Sequence, residues 1–235
     1  MSLRTLIVVP TYNERENVEP LVTAALAALP DGDLLVVDDA SPDGTGALAD
    51  ALAARSTRVR VLHRPRKEGL GPAYHAGFRW AIERGYDEVI EMDCDFSHDP
   101  ADLPRLVAAS RRGADLVIGS RYVPGARVEG WPWYRHALSA AANLYARALL
   151  GNRVRDWTAG YKCFRRPALQ AVLDAGAPAN GYIFQVQGVH RALRRGFSIV
   201  EIPIVFRERT RGDSKVRYNS AKEAFLAVWR LRRTP

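Results

Sequence analysis

Five short apolar runs, four of them followed directly by a stretch of helical periodicity, constrain this chain more than any other feature. Residues 5–9 (TLIVV), 34–37, 59–62, 89–92 and 116–119 are too short for helices. The first is β-branched and apolar on both faces, as a central parallel strand buried on both sides is. Residues 17–29 place Val18, Leu21, Val22, Ala25, Leu26 and Leu29 at helical spacing. Residues 46–55, 73–84 and 101–112 repeat the alternation. Strands alternating with helices of this length predict right-handed βαβ units and an α/β fold with a mostly parallel sheet flanked by helices. No clear linker interrupts the 235 residues, so 1–235 is expected to be one domain.

In such sheets ligands bind beyond the carboxyl ends of the strands. The first run leads into Tyr12 and Glu14, the second into Asp38 and Asp39, the fourth into Asp93-Cys94-Asp95, the fifth into Ser120-Arg121. On a strand continuing through Asp93 and Asp95 the two carboxylates would share a side. Together they could hold a hard divalent cation that shares its shell with substrate phosphates; the alternative is a solvated strand-end turn. The glycines of 68–72 do not make a dinucleotide fingerprint, because Tyr74 stands where the third glycine is needed and the loop follows the third strand. A P-loop motif is absent as well. These glycines are expected to serve a tight turn before the helix 73–84.

The composition is 47 % hydrophobic and 26 % charged, that of a soluble globular chain. Cys94 and Cys163 make no disulfide framework, which points to a reducing compartment. The N-terminus runs straight into a strand and does not resemble a signal peptide. No uncharged apolar run approaches the ~18 residues that span a bilayer. The net charge is +8. From Arg191 onward twelve basic residues face four acidic ones, so the whole excess lies in this tail. A basic tail suits phosphates: nucleic acid, a nucleotide or an anionic membrane surface. No nucleic-acid-binding module or stacking platform accompanies it, so nucleic acid is not expected as a partner.

Beyond Tyr122 the pattern changes. Residues 130–135 (GWPWYR) are dense in aromatics, and 136–150 form an Ala/Leu-rich helix carrying Arg135, Ser139, Asn143 and Arg147 as a polar stripe. It is either an ordinary surface helix or one that lies on a membrane surface, with Trp and Tyr at headgroup level. Residues 156–162 (DWTAGYK) lead into a helix at 167–173, and 181–185 (GYIFQ) open another. Residues 198–206 (SIVEIPIVF) form a strand in which Pro203 marks an edge or a bulge. An arginine-rich loop, 207–217, precedes a last amphipathic helix at 221–233.

In this order VVPTYNERENV, VVDDASPDGTG, EGLGPAYHAGF, MDCDFSHDP, IGSRYVPGA, GWPWYRHALS, DWTAGYKCFR, GYIFQVQ and RTRGDSK resemble the dolichol- and polyprenyl-phosphate mannose synthases, inverting family 2 glycosyltransferases of the GT-A fold. The resemblance covers nearly the whole chain. It implies a nucleotide-sugar-binding half at 1–122 and an acceptor- and lipid-facing half at 123–235. Pro10, Tyr12, Glu14, Val37 and Asp39 match positions that hold the guanosine part of GDP-mannose. Asp93, Cys94 and Asp95 match the metal and diphosphate motif, with Ser97 a further metal neighbour and Mg2+ or Mn2+ the implied cofactor. Arg121, Arg209 and Lys215 match residues that grip the donor diphosphate. Arg135 and Ser139 match positions that hold the phosphate of a polyprenyl or dolichyl phosphate, with Arg121 between the two substrates. Asp95, Arg121 and Arg135 are therefore the expected catalytic residues. An acceptor that is already anionic needs no general base.

The chain departs from the family pattern at Cys94, usually alanine, at Ala159-Gly160-Tyr161-Lys162, usually S-G-F-R, and at Gln187, usually glutamate. Many relatives carry C-terminal membrane helices. A chain stopping at Pro235 is expected to work peripherally on the cytoplasmic face of a membrane, to rely on a membrane-anchoring partner, or to be a piece of a longer protein. The nearest rival changes only the sugar: a UDP-glucose or other nucleotide-sugar transferase to the same lipid phosphate.

Overall fold

The computed structural model describes residues 3–176, 183–209 and 220–232. Its first half follows the predicted alternation: β1 (Thr5–Thr11), α1 (Arg15–Ala28), β2 (Asp33–Asp38), α2 (Thr45–Arg55), β3 (Val59–His63), α3 (Leu70–Glu83) and β4 (Glu88–Glu91). A 3-10 turn, Pro100–Asp102, then opens α4 (Leu103–Arg111), and β5 (Leu116–Ser120) follows. The second half holds β6 (Arg127–Glu129), α5 (Trp133–Leu150), β7 (Lys162–Arg165), α6 (Arg166–Asp174), α7 (Ile183–Arg194), β8 (Ile199–Pro203), β9 (Val205–Arg207) and α8 (Ser220–Leu231).

Seven strands form one sheet in the order β3-β2-β1-β4-β7-β5-β8, all parallel except β7. β6 and β9 pair in a separate parallel ribbon. Successive side chains of β1 enter opposite cores. Leu6 and Val8 pack with Leu35, Val37 and the aromatic face of α3, while Ile7 and Val9 pack with Leu34, Val36 and α1. All of these aliphatic side chains are fully buried, each contributing about 1.5–3 kcal/mol. α3 lies so close to the sheet that a Cβ on Gly77 would sit 2.5 Å from Val8 Cγ1 and 3.2 Å from Val37 Cγ2.

The structure corrects four details of the sequence reading. β4 stops at Glu91, so Asp93 and Asp95 are not on a strand but in the turn beyond it. The glycine-rich segment is partly helical: Leu70, Gly71 and Pro72 are the first turn of α3, where a proline costs no hydrogen bond. β7 had no counterpart among the predicted strands. Residues 198–206 are two strands in two sheets, because the chain bends at buried Ile204. That residue donates its N–H to Ser120 O and accepts from Arg127 N. Pro203 does end the edge strand β8, paired with Ser120.

Candidate active site

The rim at the carboxyl ends of the parallel strands is where the backbone is most constrained. Asn13, Ala40 and Phe96 have φ of 56°, 56° and 58°; they are the non-glycine residues with positive φ among those described. All three lie in turns just past β1, β2 and β4, and left-handed backbone in non-glycine residues persists only where its surroundings enforce it. The turns after β1 and β2 are stitched together. Asn13 N donates to Ser41 Oγ at 3.1 Å, Glu14 N to Thr45 Oγ1 at 2.9 Å and Thr11 Oγ1 to Asp38 Oδ1 at 3.1 Å.

The five residues matched to the nucleoside fall on this rim in different ways. Pro10 is the penultimate residue of β1 and Val37 that of β2, and the Val37 side chain is buried against α3. Tyr12 is half-buried with Lys67 Nζ 3.7 Å from its ring centroid. Glu14 accepts from Asn17 Nδ2 at 2.8 Å. Asp39 is buried. It pairs with Arg64 and accepts from the N–H groups of Glu68 and Gly69 at 3.2 and 3.3 Å, so it fixes the start of α3.

In the turn beyond β4 the two carboxylates have opposite surroundings. Asp93 Oδ1 accepts from the Tyr74 hydroxyl at 3.0 Å. Burial, and then the like charge of Asp95, push its pKa up to about 7. Asp95 is also buried, which opposes its ionisation. Ser97, which donates from Oγ at 2.6 Å and from N at 3.0 Å, outweighs that cost together with His98 and Arg209, and the pKa lies below the ordinary 3.8. Arg209 Nη2 reaches Asp95 Oδ2 at 3.2 Å. Ser97 thus spends its hydroxyl proton on Asp95. The Cys94 side chain points away, into the core with α4.

These residues fit a hard divalent cation. Two acidic side chains lie close enough for one charge to oppose the other, which a cation would relieve. Among the described residues no group of three or more His, Cys, Asp and Glu is placed to hold a metal. Asp93 and Asp95 would therefore leave much of the shell to substrate oxygens and water.

His98 sets this turn. It is buried, and its Nδ1 accepts from Asp93 N at 3.3 Å. Burial pulls its pKa down to about 4, so the ring is neutral with the proton on Nε2. The ring stacks on Tyr161 at 4.9 Å and meets Phe206 edge-on at 5.6 Å. Phe206 in turn touches Trp131 at 5.2 Å. Arg121 Cζ lies 5.7 Å from the centroid of Trp131 and Arg135 Cζ lies 4.9 Å from it. The acidic turn and both arginines are therefore joined by one continuous aromatic wall. Trp131 Nε1, buried in that wall, has no hydrogen-bond partner among the described residues.

Each of these arginines has a carboxylate that sequence reasoning had not matched to it. Arg121 forms a fork with buried Asp156, at 2.8 and 2.7 Å, and also donates from Nη2 to Thr158 Oγ1 at 2.7 Å. Burial of Asp156 opposes its ionisation, but the Arg121 charge and bonds hold its pKa below the ordinary value. Arg135 pairs with Glu208, both half-buried. Ser139 Oγ accepts from the Tyr122 hydroxyl at 2.7 Å. Behind Asp93, Lys162 of β7 is fully buried and donates to Glu91 Oε2 at 3.2 Å and to Gln185 Oε1 of α7. Lys215 lies outside the described residues.

The family profile described as glycosyl transferase family 2 matches residues 6–173. The chain is 51 % identical over 232 residues to polyprenol monophosphomannose synthase of Mycolicibacterium smegmatis, covering 97 % of this chain and 88 % of that protein. It is 52 % identical over 230 residues to undecaprenyl-phosphate mannosyltransferase of Micrococcus luteus, covering 97 % and 93 %. Its fold matches glucosyl-3-phosphoglycerate synthase from Mycobacterium tuberculosis, crystallised with Mn2+, uridine-diphosphate-glucose and phosphoglyceric acid. The TM-score there is 0.72 at 20 % identity, over 100 % of this chain and 81 % of that one. An acidic turn beyond a central strand, arginines along the same wall and relatives at this identity agree: the chain is a glycosyltransferase and belongs to glycosyl transferase family 2.

Proposed function

We propose that this chain transfers mannose from GDP-mannose to a polyprenyl monophosphate at a membrane surface, with inversion at the sugar. The observation that carries it is the aromatic wall joining the acidic turn to Arg121 and Arg135. A nucleotide diphosphate and a lipid phosphate are both polyanions, and such a cleft can hold them side by side. The naming of two relatives, at 51 % and 52 % identity, for polyprenol and undecaprenyl-phosphate mannosyl transfer supports the choice of sugar and acceptor.

In this proposal Pro10, Tyr12, Glu14, Val37 and Asp39 receive the nucleoside. Asp93 and Asp95 hold Mg2+ or Mn2+, with Ser97 bracing Asp95. The ion would neutralise charge on the departing diphosphate. Arg209, already on Asp95, and Lys215 bind the same diphosphate. Arg135 and Ser139 receive the acceptor phosphate, and Arg121, immobilised by Asp156 and Thr158, presents a fixed positive edge between the two substrates. The acceptor oxygen is ionised at neutral pH, its second pKa being about 6, so no side chain need take a proton from it. Residues 1–122 would serve the donor and 123–235 the acceptor and lipid.

Isothermal titration with GDP and with UDP, each with Mg2+ or Mn2+, tests the donor. Tighter binding of GDP is expected. Tighter binding of UDP would replace GDP-mannose by a uridine nucleotide sugar.

A further inference from the structure

α5 leaves a long outward face for a second task. Of its 18 residues none is acidic, and only Asn143 and Ala146 are buried. Trp133, Tyr134, Leu138 and Leu144 are 80, 53, 57 and 65 % exposed. Among the described residues no helix is long and apolar enough to cross a membrane. An uncharged, apolar, outward face with Trp and Tyr at one end matches the interfacial zone of a bilayer.

Along the middle and C-terminal part of this helix, from beside Ser139 to Arg147, runs an open cavity of about 410 Å3, lined by Tyr122, Ala140, Asn143, Leu144, Arg147 and Arg155. Two guanidinium groups overlook it. Arg147 Nε donates to Asn152 Oδ1 at 3.3 Å, and the exposed Arg155 is anchored through its backbone N–H, which Glu201 accepts at 2.8 Å. Neither side chain forms an ion pair among the described residues. The nearby acids are engaged, Glu201 with the N–H groups of residues 155 and 156 and Asp156 with Arg121. Arg147 stands twelve residues along α5 from Arg135, about 18 Å at helical rise. Ser139 stands eight residues from Arg147, about 12 Å, so a phosphate held between Arg147 and Arg155 is displaced along α5 from the one held by Arg135 and Ser139.

We propose that this cavity is a second phosphate site, which takes the headgroup of an anionic phospholipid while Leu144 and Leu138 enter the acyl region. The bilayer would then be gripped at the Arg147 end of the cavity, further along α5 than the acceptor phosphate, and the helix would lie along the surface from which the acceptor must come. The proposal uses the acceptor assignment of Arg135 and Ser139 only to tell the two phosphates apart.

Sedimentation with phosphatidylcholine vesicles, with and without phosphatidylglycerol, tests it in the full chain. The unmodified protein is expected to favour the anionic vesicles. Arg155→Gln should reduce that binding about fivefold, and Arg147→Gln with Arg155→Gln about 25-fold, at about 1 kcal/mol per basic residue near an anionic surface. Binding to neutral vesicles and to GDP should not change. Arg155 is exposed, so the single variant carries the test should the double variant fold poorly. Unchanged anionic binding in the variants, an equal loss on neutral vesicles, or no vesicle binding by the unmodified protein would overturn the proposal. Displacement from the vesicles by millimolar inorganic phosphate would point instead to a site for free phosphate. Because vesicle binding is read without sugar transfer, failure of the mannosyltransferase assignment would appear separately, as absent turnover with this result intact.

Discussion

Glu208 holds the guanidinium of Arg135 in an ion pair, on the same wall where Arg121 lies over Trp131. The next residue, Arg209, reaches Asp95. Two consecutive residues thus answer two different parts of the cleft. If Arg135 receives the acceptor phosphate, Glu208 is the anion that must give way. Glu208→Gln is therefore expected to lower the KM for polyprenyl phosphate about fivefold, as loss of a half-exposed pair worth about 1 kcal/mol would. Arg135→Ala should raise the same KM and leave GDP affinity alone. Steady-state kinetics with varied acceptor checks both, and an acceptor KM unmoved by either change would remove Arg135 from that site.

Asp156 links the site to pH. Its folded pKa lies below its ordinary value of 3.8, so its stabilising contribution is complete above that value. The contribution is lost as pH falls through the lower, folded pKa. Asp156→Asn should flatten this acid limb. At neutral pH it should cost about 3–5 kcal/mol, because Arg121 would remain buried without its partner. Urea unfolding from neutral pH down to about pH 2 measures both effects. A parallel shift at every pH, with the acid slope retained, would contradict the assignment.

Gly77 tests the fold alone. Gly77→Ala puts a methyl group against Val8 and Val37 and should cost about 1–3 kcal/mol by overpacking. A rise in stability, as expected for alanine in an open helix position, would show that α3 has room to move away from the sheet.

How much of this could be seen in the residues depends on distance along the chain. β1 and β2 were legible because both faces are buried and the apolar run is continuous. β7 was not, because it has four residues and begins with a lysine, whose burial is explained by Glu91 and Gln185, far away in sequence. Asp93 and Asp95 were found, but through strand geometry that does not apply. A turn with Phe96 at positive φ, held by His98, brings them together. His98 stands in the same MDCDFSHDP segment, but nothing local shows that its ring would hold the turn by accepting from Asp93 N. Asp156 stood in a segment already singled out, without a partner. Glu208 carried no signal, since a glutamate beside an arginine does not disclose which other arginine it will meet across 73 residues.

Transfer of radiolabelled mannose from GDP-mannose to a polyprenyl phosphate, with Mg2+ or Mn2+, by the unmodified chain and by Asp95→Ala, tests the proposed reaction itself. Label is expected in the lipid phase from the unmodified chain. A loss of about 100-fold or more is expected in the variant, the scale of removing one charge-stabilising group, with the fold retained by circular dichroism. No lipid-linked label from the unmodified chain, or equal label from Asp95→Ala, would contradict it.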